Sequence, residues 1–266
     1  MEHWKFNNPK GTATAVILKD NKVLLLKRNE EPFKGMWDFP GGYMNEMETS
    51  KQAVLREVRE ELGVEGEATL IGEFPGYGHW KEDKFPIISH AYLVEIFGEI
   101  KLNGENSEHA WIPLKEVQEV AFDSNMDIIK FIKDKFTFDL DRVRALVAQL
   151  DASAEIKEYN LYKAILGGYL STIYDGEVLV GMGWSFARQT LLRKQAVVED
   201  MIVDESQRGK GFGYKILDKV VKLAADNGTE VMELTTNPKR ERANKLYADY
   251  GFWLHPTNHY LFNINK

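Results

Sequence analysis

The chain has 266 residues, 44% hydrophobic and 28% charged, with a formal net charge of −7 and no cysteine. Such proportions fit an ordinary globular protein of one or two domains. Missing cysteines exclude disulfides, thiolate nucleophiles and cysteine-ligated zinc, and the acidic balance disfavours wrapping a long nucleic acid, which needs basic stripes along many phosphates.

The opening residues MEHWKF carry no apolar run of signal-peptide length. Apolar stretches such as 23–26 are far too short to cross a bilayer. The expectation is therefore a cytoplasmic protein without membrane association, acting on small charged metabolites.

In chain order, 12–27 reads as two apolar segments around Asp20-Asn21, a β-hairpin signal. A loop at 30–43 follows, carrying Pro32, Gly35, Pro40, Gly41 and Gly42. Thr49 with Gln52 three positions on forms a capping box, opening a helix over 50–62 that Gly63 ends. Strands are expected at 68–74, 87–97 and 109–112. A helix over 123–135 places Ile128, Ile129 and Ile132 on one face. The domain boundary falls after residue 138, giving domains 1–138 and 139–266. Beyond it come a helix at 140–150 and a hairpin of 169–174 with 177–184, joined by Asp175-Gly176. A strand at 197–203 precedes a Gly-rich turn and an amphipathic helix with Ile216, Leu217, Val220, Val221 and Ala224. A strand at 231–235, a helix at 240–250 and a last strand at 259–264 complete the chain.

The first chemical constellation lies between Gly42 and Val64. Glu57, Glu60 and Glu61 share one turn and one helix face. Three carboxylates so close repel one another unless a cation sits among them, and hard oxygen donors suit Mg²⁺ or Mn²⁺. Arg56 can hold one of them by a charge-assisted bond. A solvated helix surface is the alternative for the acidic face taken alone. The full spacing, from Gly42 through Glu48 and Arg56-Glu57-Val58 to Glu60-Glu61 and Gly63-Val64, resembles the Nudix box over nine fixed positions.

That resemblance covers about the first 138 residues. It implies an α/β/α sandwich and divalent-metal hydrolysis of a pyrophosphate in a nucleoside diphosphate derivative. Glu57, Glu60 and Glu61 match the metal and base carboxylates, Arg56 the residue that orients Glu57, and the Gly41 carbonyl a metal ligand. Glu105 is the candidate for a further metal carboxylate, with Glu108 as its competitor. The markers of dinucleoside polyphosphate, ADP-ribose and coenzyme A subgroups are missing. Phe33, Trp37, Tyr77 and Trp80 are candidates to stack on a base or to pack, and Arg28 to touch phosphate or end a strand.

The second constellation is Arg208-Gly209-Lys210-Gly211-Phe212-Gly213, leading into a helix. Such a turn presents free N–H groups to an anion. With the strand before it and Asn244, Tyr247 and Gly251-Phe252 after it, it resembles the GNAT acetyltransferases over about 139–266. The resemblance implies a mixed sheet with flanking helices that binds acetyl-CoA. The amides from Gly209 to Gly213, assisted by Arg208, match the pyrophosphate cradle, and the backbone of Ile202 and Val203 the pantetheine site. Asn244 fits a cofactor contact, Glu199 the base and Tyr247 the acid for the thiolate. On a regular strand Asp200 faces away from Glu199. The stretch 155–168 shows no acceptor signature, so the amine is unidentified. Two readings stand: a bifunctional enzyme, or a hydrolase whose second domain senses acetyl-CoA.

Overall fold

The computed structural model describes residues 8–80, 83–260 and 262. Two compact units emerge. One holds the residues up to Arg144 together with Ala154–Gly167, the other Ala145–Ser153 and the residues from Gly168 on. No helix among the described residues is long and apolar enough to cross a membrane.

The first unit runs β1 (Lys10–Val16), β2 (Leu18–Lys19), β3 (Lys22–Arg28), β4 (Trp37–Asp38), β5 (Gly41–Tyr43), α1 (Ser50–Leu62), β6 (Glu65–Trp80), β7 (Asp83–Phe97), β8 (Asn106–Pro113) and α2 (Asp123–Phe136). Helices α3 (Leu140–Leu150) and α4 (Glu158–Gly167) follow, and α4 belongs to this unit. One sheet has the order β5-β1-β7-β6, with β1 and β7 parallel. The other is β2-β3-β4, with β8 paired antiparallel to β3.

Strand alternation decides the faces. Ala13 and Ala15 of β1 are fully buried with Val54, Val58 and Leu62 of α1. Thr14 turns the other way and shares a 2.7 Å hydrogen bond with Ser89 of β7. The turn between β2 and β3 has Asp20 at φ 50° and Asn21 at φ 58°, the double left-handed pair of a tight hairpin.

Helix α1 carries the acidic residues, and its ends are set locally. Gln52 N–H donates to the Thr49 hydroxyl, and Thr49 N–H donates to the Gln52 side chain at 2.9 Å. Gly63 closes the helix at φ 66° with its N–H on Arg59 O, a conformation that a Cβ disfavours. Thr49→Ala is expected to cost the first unit about 1 kcal/mol, read as a lower urea midpoint at unchanged slope.

The second unit runs β9 (Tyr169–Asp175), β10 (Val178–Gln189), β11 (Lys194–Val203), a 3-10 turn (Glu205–Gln207), α5 (Phe212–Asp226), β12 (Val231–Leu234) and α6 (Glu241–Tyr250). Its sheet has the order β12-β11-β10-β9, with only β11 and β12 parallel. Ile216 and Val220 of α5 pack on Val198 of β11. Both units are mixed α/β, as the sequence implied.

Three expectations need amending. Pairing of Val178 with Asp175 puts the hairpin turn at Gly176-Glu177, one residue later than expected. Helix α4 was not foreseen. Of the strand expected at 259–264, His259, Tyr260 and Phe262 lie in no strand, and Leu261, Asn263 and Ile264 lie outside the described residues.

Candidate functional site

In the first unit the acidic face of α1 and the loop before β5 line one cavity of about 1100 Å³. Glu57, Glu60, Glu61 and Glu105 all border it, as do Gly41 and Gly42. Arg56 organises this wall. Its Nε and Nη2 donate to the two oxygens of Glu48 at 2.9 and 3.0 Å. Nη1 reaches Glu57 at 2.7 Å and Glu60 at 2.9 Å, and Nη2 also donates to the Tyr43 carbonyl at 2.9 Å. One guanidinium thus ties the helix to the incoming loop, a fork geometry that a lysine lacks. The hydrogen bonds that Arg56 donates to Glu48 hold the guanidinium charged ahead of every other influence.

Glu61 is buried, and its oxygens accept from Gly41 N–H at 2.8 Å and Asn106 Nδ2 at 2.9 Å. Burial pushes its carboxyl up to about 8 against the pull of those two bonds. Glu57 is raised too, first by burial, with Glu60 and Glu105 adding to the effect while Arg56 opposes it. A Cβ at Gly42 would overlap the Glu57 carboxylate and displace it. Glu108 is turned away and pairs with Lys27 at 2.9 Å.

Behind this wall sits a second polar group. Asp38 is buried and accepts from Asn125 Nδ2 at 2.6 Å, from Phe39 N–H at 3.0 Å and from Arg28 Nη1 at 3.4 Å. Desolvation lifts its carboxyl to about 7 despite those donors.

In the second unit a bulge interrupts β11. Met182 pairs with Ile202 and Trp184 with Glu199, so Gly183 alone faces Asp200 and Met201. Asp200 takes φ 47°. The strand is therefore not regular there, and Glu199 and Asp200 are both exposed. Burial, then the neighbouring Asp200, raises the Glu199 carboxyl, and His259 opposes this. Strand β12 pairs with β11 only over Gln195 to Val198, so among the described residues 199–203 have no strand partner on that edge.

The Gly-rich turn enters α5 with Gly209 at φ 87° and Gly211 at φ 79°. No side chain caps the helix, which leaves its first N–H groups without a side-chain acceptor. Arg208 donates from Nε to the Val203 carbonyl at 3.1 Å. Tyr247 packs edge-on to Phe252 at 6.1 Å, and burial raises its phenol.

Comparison with known proteins finds two families in series, with the second match taking in α4, which packs in the first unit. The family model for the NUDIX domain matches residues 9–134, and that for the Acetyltransferase (GNAT) family matches 137–252. The chain is a NUDIX domain fused to a GNAT domain. An ADP-ribose pyrophosphatase of Methanocaldococcus jannaschii is 33% identical over 129 residues, 48% of this chain and 73% of that protein. A CTP pyrophosphohydrolase of Escherichia coli is 39% identical over 85 residues, 31% of this chain and 60% of the relative. For the GNAT domain, a thialysine N-epsilon-acetyltransferase of Bos taurus is 34% identical over 78 residues, 29% of this chain and 46% of the relative.

Within the NUDIX domain, Arg56, Glu57, Glu60, Glu61, Gly41 and Glu105 come together as a group. Among the described residues no three acidic or histidine side chains stand at metal-ligand spacing, because Glu57 and Glu60 are turned onto Arg56 and Glu61 onto Gly41 and Asn106. The donors still suit a hard cation, being carboxylates and a carbonyl around one cavity. The structure adds Glu48, Asp38, Asn106 and Asn125 to this group; Glu48 stands in the motif and Asp38 in the loop at 30–43. Of the stacking candidates, Phe33 packs on Phe122 and His79. Trp37 lies under Lys27, and Tyr77 under Lys84. The Trp80 side chain lies outside the description.

The GNAT domain assembles less of its expected set. Ile202, Val203, Arg208 and the turn from Gly209 to Gly213 lie close in sequence, but the Asn244 amide of α6 donates to the carbonyls of Asn237 and Arg240 ahead of its own helix. Lys210 bonds Gln207 at 2.6 Å.

Proposed function

We propose that the chain is a bifunctional enzyme. The NUDIX domain hydrolyses a pyrophosphate bond in a nucleoside diphosphate derivative with Mg²⁺ or Mn²⁺, and the GNAT domain transfers acetyl from acetyl-CoA to an amine. The observation that carries the first activity is the oxygen-donor wall of Glu57, Glu60, Glu61, Glu105 and the Gly41 carbonyl, organised by Arg56.

A divalent cation bound there supplies charge neutralisation and an acidified water. The protein's part is positional. Arg56 holds Glu57 and Glu60 in one turn, Gly42 leaves Glu57 its space, and a carboxylate not engaged on metal takes the water's proton. Arg28 at the cavity wall is placed to neutralise phosphate.

Acetyl-CoA fits the second site on two features. The uncapped start of α5 suits a pyrophosphate, and the edge of β11 over 199–203, which no described strand covers, suits an amide-bearing arm. Exposed Glu199, its carboxyl raised, accepts a proton from the attacking amine, and Tyr247 returns one to the leaving thiolate. The names of the relatives support nucleotide hydrolysis and amine acetylation as reaction classes.

Glu60→Gln is expected to lower Mg²⁺-dependent hydrolysis by about a hundredfold or more while acetyl-CoA affinity stays within error. Chromatography of a nucleotide panel and calorimetry with acetyl-CoA read the two. One substitution abolishing both would rule out independent sites. The lack of an acceptor signature over 155–168 is the ground for a second reading, a GNAT domain that binds acetyl-CoA as a sensor. Rapid acetyl transfer to any amine in a screen eliminates it.

A further inference from the structure

We infer that α4 is a helix shared by the two domains: its residues belong to the GNAT match, its packing is supplied by the NUDIX unit, and its undocking and the opening of the first acetyltransferase strand are one event. The NUDIX match ends at residue 134 and the GNAT match starts at 137, yet Ala154–Gly167 pack in the first unit. The chain therefore crosses from one unit to the other three times, after Arg144, Ser153 and Gly167.

Helix α4 has ten residues, too few to hold a helix in water without tertiary support. The support comes from the first unit, where α4 packs on α2 and β7. Tyr162, 1% exposed, lies 5.0 Å from the Phe136 ring and 6.2 Å from the Phe138 ring. Tyr159 and Thr69 of β6 share a hydrogen bond between their hydroxyls at 3.1 Å. Glu158 accepts from Asp20 N–H at 3.0 Å and from the Tyr162 hydroxyl.

Asp20 also serves the earlier crossing. Arg144, the last residue before the chain leaves for 145–153, reaches the Asp20 carboxylate at 3.8 Å. That exposed pair adds little stability by itself, but it brings the departure at 144 and the return at 158 to one tight turn. At the other end, Gly168 alone separates α4 from β9. A Cβ at Gly168 would overlap the Ser185 carbonyl and the Trp184 indole, so this link runs tight against β10. Strand β9 ends the order β12-β11-β10-β9, and among the described residues no strand pairs with its outer edge. An edge strand on a one-residue tether takes its starting point from the helix before it. The acetyltransferase sheet thus has its outermost strand moored to the hydrolase unit.

The test is native-state hydrogen exchange on the full-length protein, with Tyr162→Ala and Tyr162→Phe beside wild type. In Tyr162→Ala, peptides over 158–167 and over 169–175 are expected to exchange faster by one common factor, about a hundredfold or more. Peptides of α1 and α5 are expected to keep wild-type protection. Tyr162→Phe keeps the ring on Phe136 and is expected to stay within about tenfold of wild type. Faster exchange confined to 158–167, with 169–175 unchanged, would overturn the inference and make α4 a covering of the NUDIX sheet alone. Should Tyr162→Ala lose protection everywhere, Tyr159→Ala replaces it, removing a half-buried ring and its bond to Thr69. The same comparison then runs at about tenfold, with the same two outcomes.

Discussion

Arg56→Ala is expected to lower NUDIX hydrolysis to below about 1% of wild type and to destabilise the first unit by about 3 kcal/mol or more. The reason is the number of groups that one side chain serves. Arg56 donates to Glu48, Glu57, Glu60 and the Tyr43 carbonyl, and the side chains of Glu48 and Glu57 are each only 13% exposed. Without the guanidinium, those carboxylates remain in a part-buried cluster with no counter-charge, and the loop from Tyr43 to Glu48 loses its tie to α1. Removing one partner of such a network costs more than the network is worth as a whole.

Arg56→Lys separates charge from geometry. An ammonium restores one positive charge but cannot hold both oxygens of Glu48 while also bonding Glu57 and Glu60. Stability is expected to recover in part and kcat to remain low. Urea unfolding and metal-saturated initial rates measure the two. Full activity in Arg56→Lys would mean that charge alone suffices and that the fork has no positional role.

The parts of this arrangement were unequally legible in the sequence. Helix α1 could be read to the residue, because Thr49, Gln52 and Gly63 fix its ends through local hydrogen bonds that spacing alone reveals. The carboxylates followed, since i, i+3 and i+4 must share a face. Which of Glu105 and Glu108 borders the cavity is decided by the sheet. Glu108 lies opposite Lys27 in the β3–β8 ladder and pairs with it, whereas Glu105 precedes the strand and borders the cavity.

Asp38 and Asn125 are 87 positions apart, and no local pattern joins them. Helix α4 escaped because only Tyr162 and Ile165 of its ten residues are buried, too few to draw an apolar stripe. In the GNAT domain, the sequence around Glu199 reads as an apolar strand with two adjacent acids inside it. The bulge arises from pairing with β10, so the shared exposure of Glu199 and Asp200 is a tertiary fact. Tyr247 illustrates the opposite case: the Asn, Tyr and Gly-Phe spacing located it, yet its ring contact with Phe252 serves packing as well as it would serve chemistry.

Asp38→Asn is expected to remove part of the protein's stability loss between about pH 4 and pH 7. In the folded state the Asp38 carboxyl titrates at about 7, against an ordinary value of 3.8. The folded protein therefore holds this proton more tightly than the unfolded chain does. By linkage, the contribution of Asp38 is fully present below the unfolded value, falls as pH rises through the window, and is lost once pH has passed the folded value. A single proton limits the slope to about 1.4 kcal/mol per pH unit. Burial drives the shift, opposed by Arg28, Asn125 and Phe39 N–H. Asparagine keeps an acceptor for the last two and carries no charge to desolvate, while Arg28 retains its 2.8 Å bond to the Pro32 carbonyl. Metal-free wild type and variant, unfolded in urea at intervals from pH 4 to pH 8, are expected to diverge steadily in favour of the variant and to run parallel above about pH 7. Parallel curves across the whole window would mean that Asp38 is already ionised at low pH, held so by Arg28, and that the pair is a true buried ion pair.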